Sequence, residues 1–209
     1  MEELLTSHPA LAICKQRILE AFSIMKESFR SGGKLLVCGN GGSAADSEHI
    51  VGELMKGFMH KRRIPDSVCK KILEVSPRNG AFICDSLQGA LPAISLTSHT
   101  SLISAYSNDV EPSLVFAQQV YGYGKEGDVF LGISTSGESK NIVHAAEVAK
   151  AMGLRTIALT GESGGLLGNI CDCVIRAPSK TTPEIQEMHL PIYHSLCQML
   201  EAEFFGDGE

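Results

Sequence analysis

The chain has 209 residues, of which 44% are hydrophobic and 20% charged, with a net charge of −6. That length suits one domain with an ordinary core, and the acidic balance argues against a general nucleic-acid binder. No apolar run is long enough to span a bilayer, and Met-Glu-Glu-Leu-Leu-Thr at the amino terminus lacks the basic and apolar regions of a signal peptide. The expectation is a cytoplasmic protein. Its seven cysteines are expected to be reduced thiols, several of them, such as Cys38 and Cys84, in buried apolar runs.

Residues 9–30 place Leu11, Ile13, Cys14, Ile18, Phe22, Met25 and Phe29 at helical spacing. Pro9 suits the first turn and Ser31-Gly32-Gly33 ends the segment. Such a leading helix packs outside the sheet or against a partner subunit. Residues 34–38 then read as a strand, its apolar run Leu35-Leu36-Val37 breaking into Gly39-Asn40-Gly41-Gly42-Ser43. Further strands are predicted near 92–96, 128–133, 155–160 and 172–176. Helices are predicted near 43–58, 99–107, 111–122, 139–152 and 183–204. This β-α alternation specifies a parallel sheet covered on both faces.

Residues 59–91 interrupt the alternation, with Pro65, Pro77, Asn79 and Gly80 as breakers and short helices expected around 66–74 and 79–88. The stretch reads as an insertion that shapes a pocket edge or a subunit contact. Its basic run Lys61-Arg62-Arg63 reads first as a solvated loop, with contact to a substrate anion as the alternative. Cys171-Asp-Cys173 is a possible soft-metal pair, but alternation in a strand and the lack of a second pair favour a structural reading.

Two loops carry the chemistry. Gly41, Gly42 and Ser43 follow one strand; Ser134-Thr135-Ser136-Gly137-Glu138-Ser139 follows another, and both lead into helices. Glycine lets backbone approach a ligand, and hydroxyls beside a helix start suit an anion. Either loop alone is equally a tight βα turn. Neither is a P-loop or a dinucleotide fingerprint. Downstream of the first loop, His49 and Glu53 are four residues apart and share a helix face. Near the carboxy terminus Thr182 is the expected cap and Pro183 the first turn. Gln186, Glu187, His189 and His194 follow, with Pro191 expected to bend the helix. Gln186 lies about 80° from His194 on an ideal helix, so the bend would let both line one pocket.

These motifs together resemble the SIS (sugar isomerase) domain family, of the phosphoheptose isomerase type. The resemblance rests on Gly39-Asn40-Gly41-Gly42-Ser43, His49-x-x-x-Glu53, Ser107-Asn108-Asp109, Gly127-Asp128 through Gly137, Leu159-Thr160-Gly161, and Ile185-Gln186-Glu187-x-His189 with His194. It spans almost the whole chain. It implies a single three-layer α/β/α sandwich over 1–209 with a five-stranded parallel sheet and a flanking amino-terminal helix, and a homotetramer with sites between subunits. It implies aldose–ketose isomerisation of sedoheptulose 7-phosphate to D-glycero-D-manno-heptose 7-phosphate through an enediol. By that resemblance Glu53 is the base and His194 the acid. Asn40, Gly41, Gly42, Ser43, Asp109, Ser134, Thr135, Ser136, Ser139 and Gln186 contact the substrate. One zinc ion falls to His49, Glu53, Gln186 and His194. Two features depart from the family pattern: Glu184 stands where arginine is common, and the 59–91 insertion is long. They keep two alternatives open, an isomerase of another phosphosugar and a non-catalytic SIS regulator resembling the relative that binds a replication initiator. Retention of both Glu53 and His194 favours catalysis.

Overall fold

Five apolar strands, two of the inner ones buried at every residue, set the architecture. In the computed structural model, which describes residues 1–206, β1 (Leu35–Gly39), β2 (Ala93–Ser95), β3 (Val129–Ile133), β4 (Arg155–Gly161) and β5 (Cys173–Ala177) form one parallel sheet in the order β2-β1-β3-β4-β5. Leu35 pairs with Ala93 on one side and Val129 on the other. All five predicted strands are therefore present, each within a residue or two of its expected bounds.

The period of two divides the sheet residues between two cores. Leu35, Val37, Val129, Leu131, Ile133, Ile157, Leu159 and Ile175 pack on one face with α2 (Lys15–Arg30), α3 (Gly42–Met55) and α10 (Thr182–Phe205). Leu36, Cys38, Phe130 and Ala158 pack on the other with α7 (Val115–Tyr123) and α8 (Lys140–Ala151). The remaining helices are α1 (Glu2–Ser7), α4 (Asp66–Val75), α5 (Gly80–Ser86), α6 (Thr100–Asp109) and α9 (Leu167–Ile170). Helices α1 and α9 were not anticipated from the sequence; both are too short for periodicity to reveal.

Several expectations are corrected. The leading segment is a 3-10 helix (Pro9–Cys14) followed by α2, and α2 buries Ile18, Ala21, Ile24, Met25 and Phe29 against its own chain. Its apolar stripe is thus consumed within the subunit. Thr181, not Thr182, is the N-cap of α10, and Pro191 lies inside that helix, Thr182–Phe205, as expected. The segment expected as one helix over 111–122 begins as a 3-10 turn, Pro112–Leu114. Cys84 is not a buried free thiol: Cys69 on α4 and Cys84 on α5 form a disulfide that staples the two insertion helices, with Cα atoms 5.5 Å apart. Cys38 is buried and free as expected, and Cys173 opens β5 whereas Cys171 precedes it at the end of α9, so the two do not alternate within one strand.

The largest correction concerns the basic run. Lys61 and Arg63 are exposed, but Arg62 is only 2% exposed. Its Nε donates to Glu201 Oε1 of α10 at 2.8 Å, Nη1 to the Leu54 carbonyl at 2.7 Å and Nη2 to the Glu53 carbonyl at 2.9 Å. Glu201 also accepts from the Phe58 and Met59 amides at 2.8 and 2.7 Å. These bonds hold the Glu201 carboxyl below its ordinary pKa despite its burial. Removing either partner would strand a buried charge, a loss of about 3–5 kcal/mol. The base of the insertion is closed by the Gly89 amide on the Arg62 carbonyl and the Leu91 amide on that of Leu54.

On the same helix as Glu201, His189 is fully buried and its Nε2 lies 3.2 Å from the Thr160 carbonyl at the end of β4, while Nδ1 has no partner. Burial pushes this imidazole from 6.5 down to about 4. Between those values the unfolded chain binds a proton that the folded chain refuses, so stability rises with pH through that window and is lost as pH falls. The loss amounts to about 3 kcal/mol. Urea unfolding of wild type and His189→Gln between about pH 7 and pH 4 checks this. The variant is expected to show a shallower fall in stability on acidification; equal slopes would refute the assignment.

Candidate functional site

The site follows from the strand order. From β1 the chain moves outward to β2, then returns across β1 to β3 and continues the other way. The loops leaving β1 and β3 therefore diverge at the carboxyl edge of the sheet and leave a cleft, the place where open α/β sheets bind ligands. Asn40 after β1 and Asn141 in the first turn of α8 exchange two amide hydrogen bonds across it, both 2.9 Å. Asn141 was missed in the sequence, where nothing marks it as the partner of Asn40.

Both loops are shaped around helix starts. Gly41, with φ +56°, is the N-cap of α3, and no side chain caps the amides there. Gly39 packs so closely on Ser43 that a Cβ would collide with its backbone, and Ser43 is buried. In the second loop Ser134 Oγ lies 3.0 Å from Ser139 Oγ and accepts from the Gly137 amide at 3.2 Å. Ser136 is exposed, its Oγ accepting from the Glu138 amide at 3.1 Å. The Thr135 carbonyl accepts from the Gly161 amide at 2.9 Å. Gly137 adopts φ +70° against the backbone of Gly164 and Gly165, so no side chain fits there. Ser139 is the N-cap of α8 but its hydroxyl does not cap it. Two uncapped helix starts beside one cleft can take an anion.

A second cluster lies farther along α3 and α10. His49 Nε2 is 3.3 Å from Glu53 Oε1, and Lys56 Nζ is 3.2 Å from Glu53 Oε2. The His49 and His194 rings meet edge to face with centroids 5.0 Å apart. Phe58 lies 5.3 Å from the His194 ring. Tyr193 Oη donates to Asp46 Oδ1 at 3.2 Å and sits 3.0 Å from His49 Nδ1. Burial raises the Tyr193 phenol and the Asp46 carboxyl above their ordinary pKa values. Burial, and then the neighbouring His49, lower His194, so its ring is neutral near pH 7. Asp46 and Tyr193 were not singled out in the sequence, although Asp46 is one turn before His49 and Tyr193 adjoins His194.

The Tyr193 hydroxyl thus lies between Asp46 and the His49 ring, whose other nitrogen faces the Glu53 carboxylate. His194 Nε2 is buried without a partner. Two imidazoles and a carboxylate are a suitable donor set for zinc. Among the described residues, however, no three His, Cys, Asp or Glu are placed together so that they could hold a metal ion.

Not every expected residue joins these groups. Gln186 lies over the first turn of α3, where a Cβ on Gly42 would come 2.7 Å from its Nε2, and not against Glu53. Glu187 is exposed. Asp109 is exposed at the end of α6, its Oδ1 accepting from Asn108 Nδ2 at 2.8 Å. Glu184 is exposed and bonded to Ser179, whose hydroxyl lowers its pKa.

The sequence and fold can be placed among known proteins. A family model described as "SIS domain" matches residues 10–72 and 71–161. A phosphoheptose isomerase of Nitratiruptor sp. is 42% identical over 187 residues, covering 90% of this chain and 86% of that protein. The structure of a phosphoheptose isomerase from Neisseria gonorrhoeae superposes with TM-score 0.75 at 31% identity, covering 96% of this chain and 94% of that one. One from Francisella tularensis gives 0.73 at 36% identity, covering 88% and 85%. With its parallel five-stranded sheet, its two ligand-ready loops and these matches over nearly its full length, the chain belongs to the SIS domain family.

Proposed function

We propose that the protein is a phosphoheptose isomerase, interconverting sedoheptulose 7-phosphate and D-glycero-D-manno-heptose 7-phosphate. The observation that carries this reading is the meeting of Glu53 with His194 and His49 on two adjacent helices, one of which starts at an anion-ready loop. Isomerisation of the ketose requires loss of a proton from C1 and its return to C2. Glu53 is the base for that transfer. His194, neutral by burial, gives a proton to the C2 oxygen and takes one from the C1 oxygen. The enediol between these steps carries no net change in atoms. The phosphate, remote from C1 and C2, anchors the substrate at Asn40, Gly41, Gly42, Ser43, Ser134, Thr135, Ser136 and Ser139, with Gln186 above the first loop. Its binding energy serves to orient the reacting carbons.

Zinc held by His49, Glu53 and His194 belongs to the same proposal, whereas Gln186, over the first turn of α3, is too far along the helices to be its fourth ligand. The partnerless His194 Nε2 supports it. Such an ion would polarise the substrate oxygens as a Lewis acid.

A homotetramer in the cytoplasm completes the reading. Glu53 stands eleven residues after Gly42, about 16 Å along α3, whereas six carbon–carbon bonds of about 1.5 Å give a heptose chain roughly 9 Å of contour. That span favours a site completed by a second copy, which would also bring in Asp109. Among the described residues no helix is long and apolar enough to cross a membrane.

Two experiments test these assignments. Replacing Ser134 and Ser136 together by alanine should raise KM for the phosphosugar, each lost bond to a charged group costing about 1.5–3 kcal/mol. An unchanged KM would remove this loop from phosphate binding. Glu53→Gln and His194→Gln should each lower turnover by roughly 10²–10⁴ while phosphosugar binding persists. Metal analysis of protein purified without chelator should find zinc in the wild type and less in both variants. Full activity in chelated, metal-free protein would sink the zinc assignment and leave the acid–base pair standing.

A further inference from the structure

We infer that Arg62 and Glu201 are positioning residues that set the distance between Glu53 and His194. The inference rests on the reading of those two as the proton-transferring pair. The last carbonyls of a helix lack intrahelical donors, and a cation there also meets the negative end of the helix dipole. Arg62 supplies both: it donates to the carbonyls of Glu53 and Leu54 in the last turn of α3. The same guanidinium binds Glu201, seven residues and two turns beyond His194 on α10. Residues seven apart lie on nearly one face of a helix. The Arg62–Glu201 pair is therefore a second rung between α3 and α10, next to the rung formed by Glu53, His49 and His194.

The clamp reaches the acid as well as the base. Glu201 accepts the Phe58 amide at 2.8 Å, and the Phe58 ring packs on the His194 ring. The Arg62 guanidinium itself lies over the Phe205 ring, 4.7 Å from its centroid. Only a planar fork can address a carboxylate and two carbonyls at once; lysine keeps the charge but has no such geometry. The sequence placed Arg62 in a charge run, where its burial was invisible.

The test compares Arg62→Lys and Glu201→Gln with Asp128→Asn. Asp128 pairs with Lys34 near the amino-terminal edge of the sheet, away from both helices. Melting temperatures are measured for all three, and isomerase kinetics well below them. The clamp variants should lose about tenfold or more in kcat with KM within about threefold, since misplacing catalytic groups by about 1 Å can cost 10²-fold. Asp128→Asn should keep kcat within about twofold at a comparable loss of melting temperature. The ring C–H resonance of His194 should shift in both clamp variants and not in Asp128→Asn. Unchanged kcat in folded clamp variants, or an equal loss in Asp128→Asn, would overturn the inference. If the wild type does not isomerise heptose phosphates, the proposed reaction fails. The His194 resonance then judges the clamp: a shift confined to the two clamp variants upholds it, and no shift overturns it.

Discussion

The reversal of winding between β1 and β3 is the constraint on which the rest depends. Parallel strands need crossover helices, and right-handed crossovers that leave β1 in both directions must cover opposite faces of the sheet. Here α3 goes to one face and α8 to the other. Their amino termini then flank one cleft without any residue being selected for that purpose. What selection supplies is the lining: glycines at Gly41 and Gly137 that admit positive φ, serines, and the reciprocal Asn40–Asn141 bond that joins the two loops.

The second requirement is rigidity between α3 and α10. Two polar links run between these helices, Tyr193 to Asp46 and His49, and Glu201 to the last turn of α3 through Arg62, and the Gln186 side chain packs against Gly42 at the other end. Apolar packing by Ile50, Leu54, Ile192 and Leu196 fills the space beside them. Proton transfer between neighbouring carbons demands fixed geometry, and two helices joined by two polar links and packed side chains provide it. The insertion is tied into this arrangement at its first residues, because Arg62 belongs to it. That gives the long 59–91 segment a structural reason beyond its own two disulfide-linked helices.

Much of this was legible in the sequence. Buried parallel strands are continuous apolar runs bounded by glycine and polar turns, so β1, β3 and β4 could be read directly. His49 and Glu53 were legible as a helix-face pair, and His194 as a polar residue in an apolar segment. Long-range pairings were not. Arg62 looks like any basic residue in a run because its partner Glu201 is 139 positions away. Asn141, Asp46 and Tyr193 carry no local pattern that predicts what they touch. Cys69 and Cys84 have no framework of further cysteine pairs to mark them as bonded, and Cys84 sits in an apolar stretch that resembles a core strand or helix.

The central claim is that Glu53 moves a proton between adjacent carbons of a phosphosugar. The most direct measurement is mass or NMR analysis of sedoheptulose 7-phosphate incubated with the wild-type protein in deuterated water. The account predicts an aldose product with deuterium at C2 and, on reversal, at C1 of the ketose, both lost in Glu53→Gln. Isomerisation that proceeds unchanged in Glu53→Gln, or a wild-type protein that folds and binds the sugar phosphate yet forms no aldose, would contradict it.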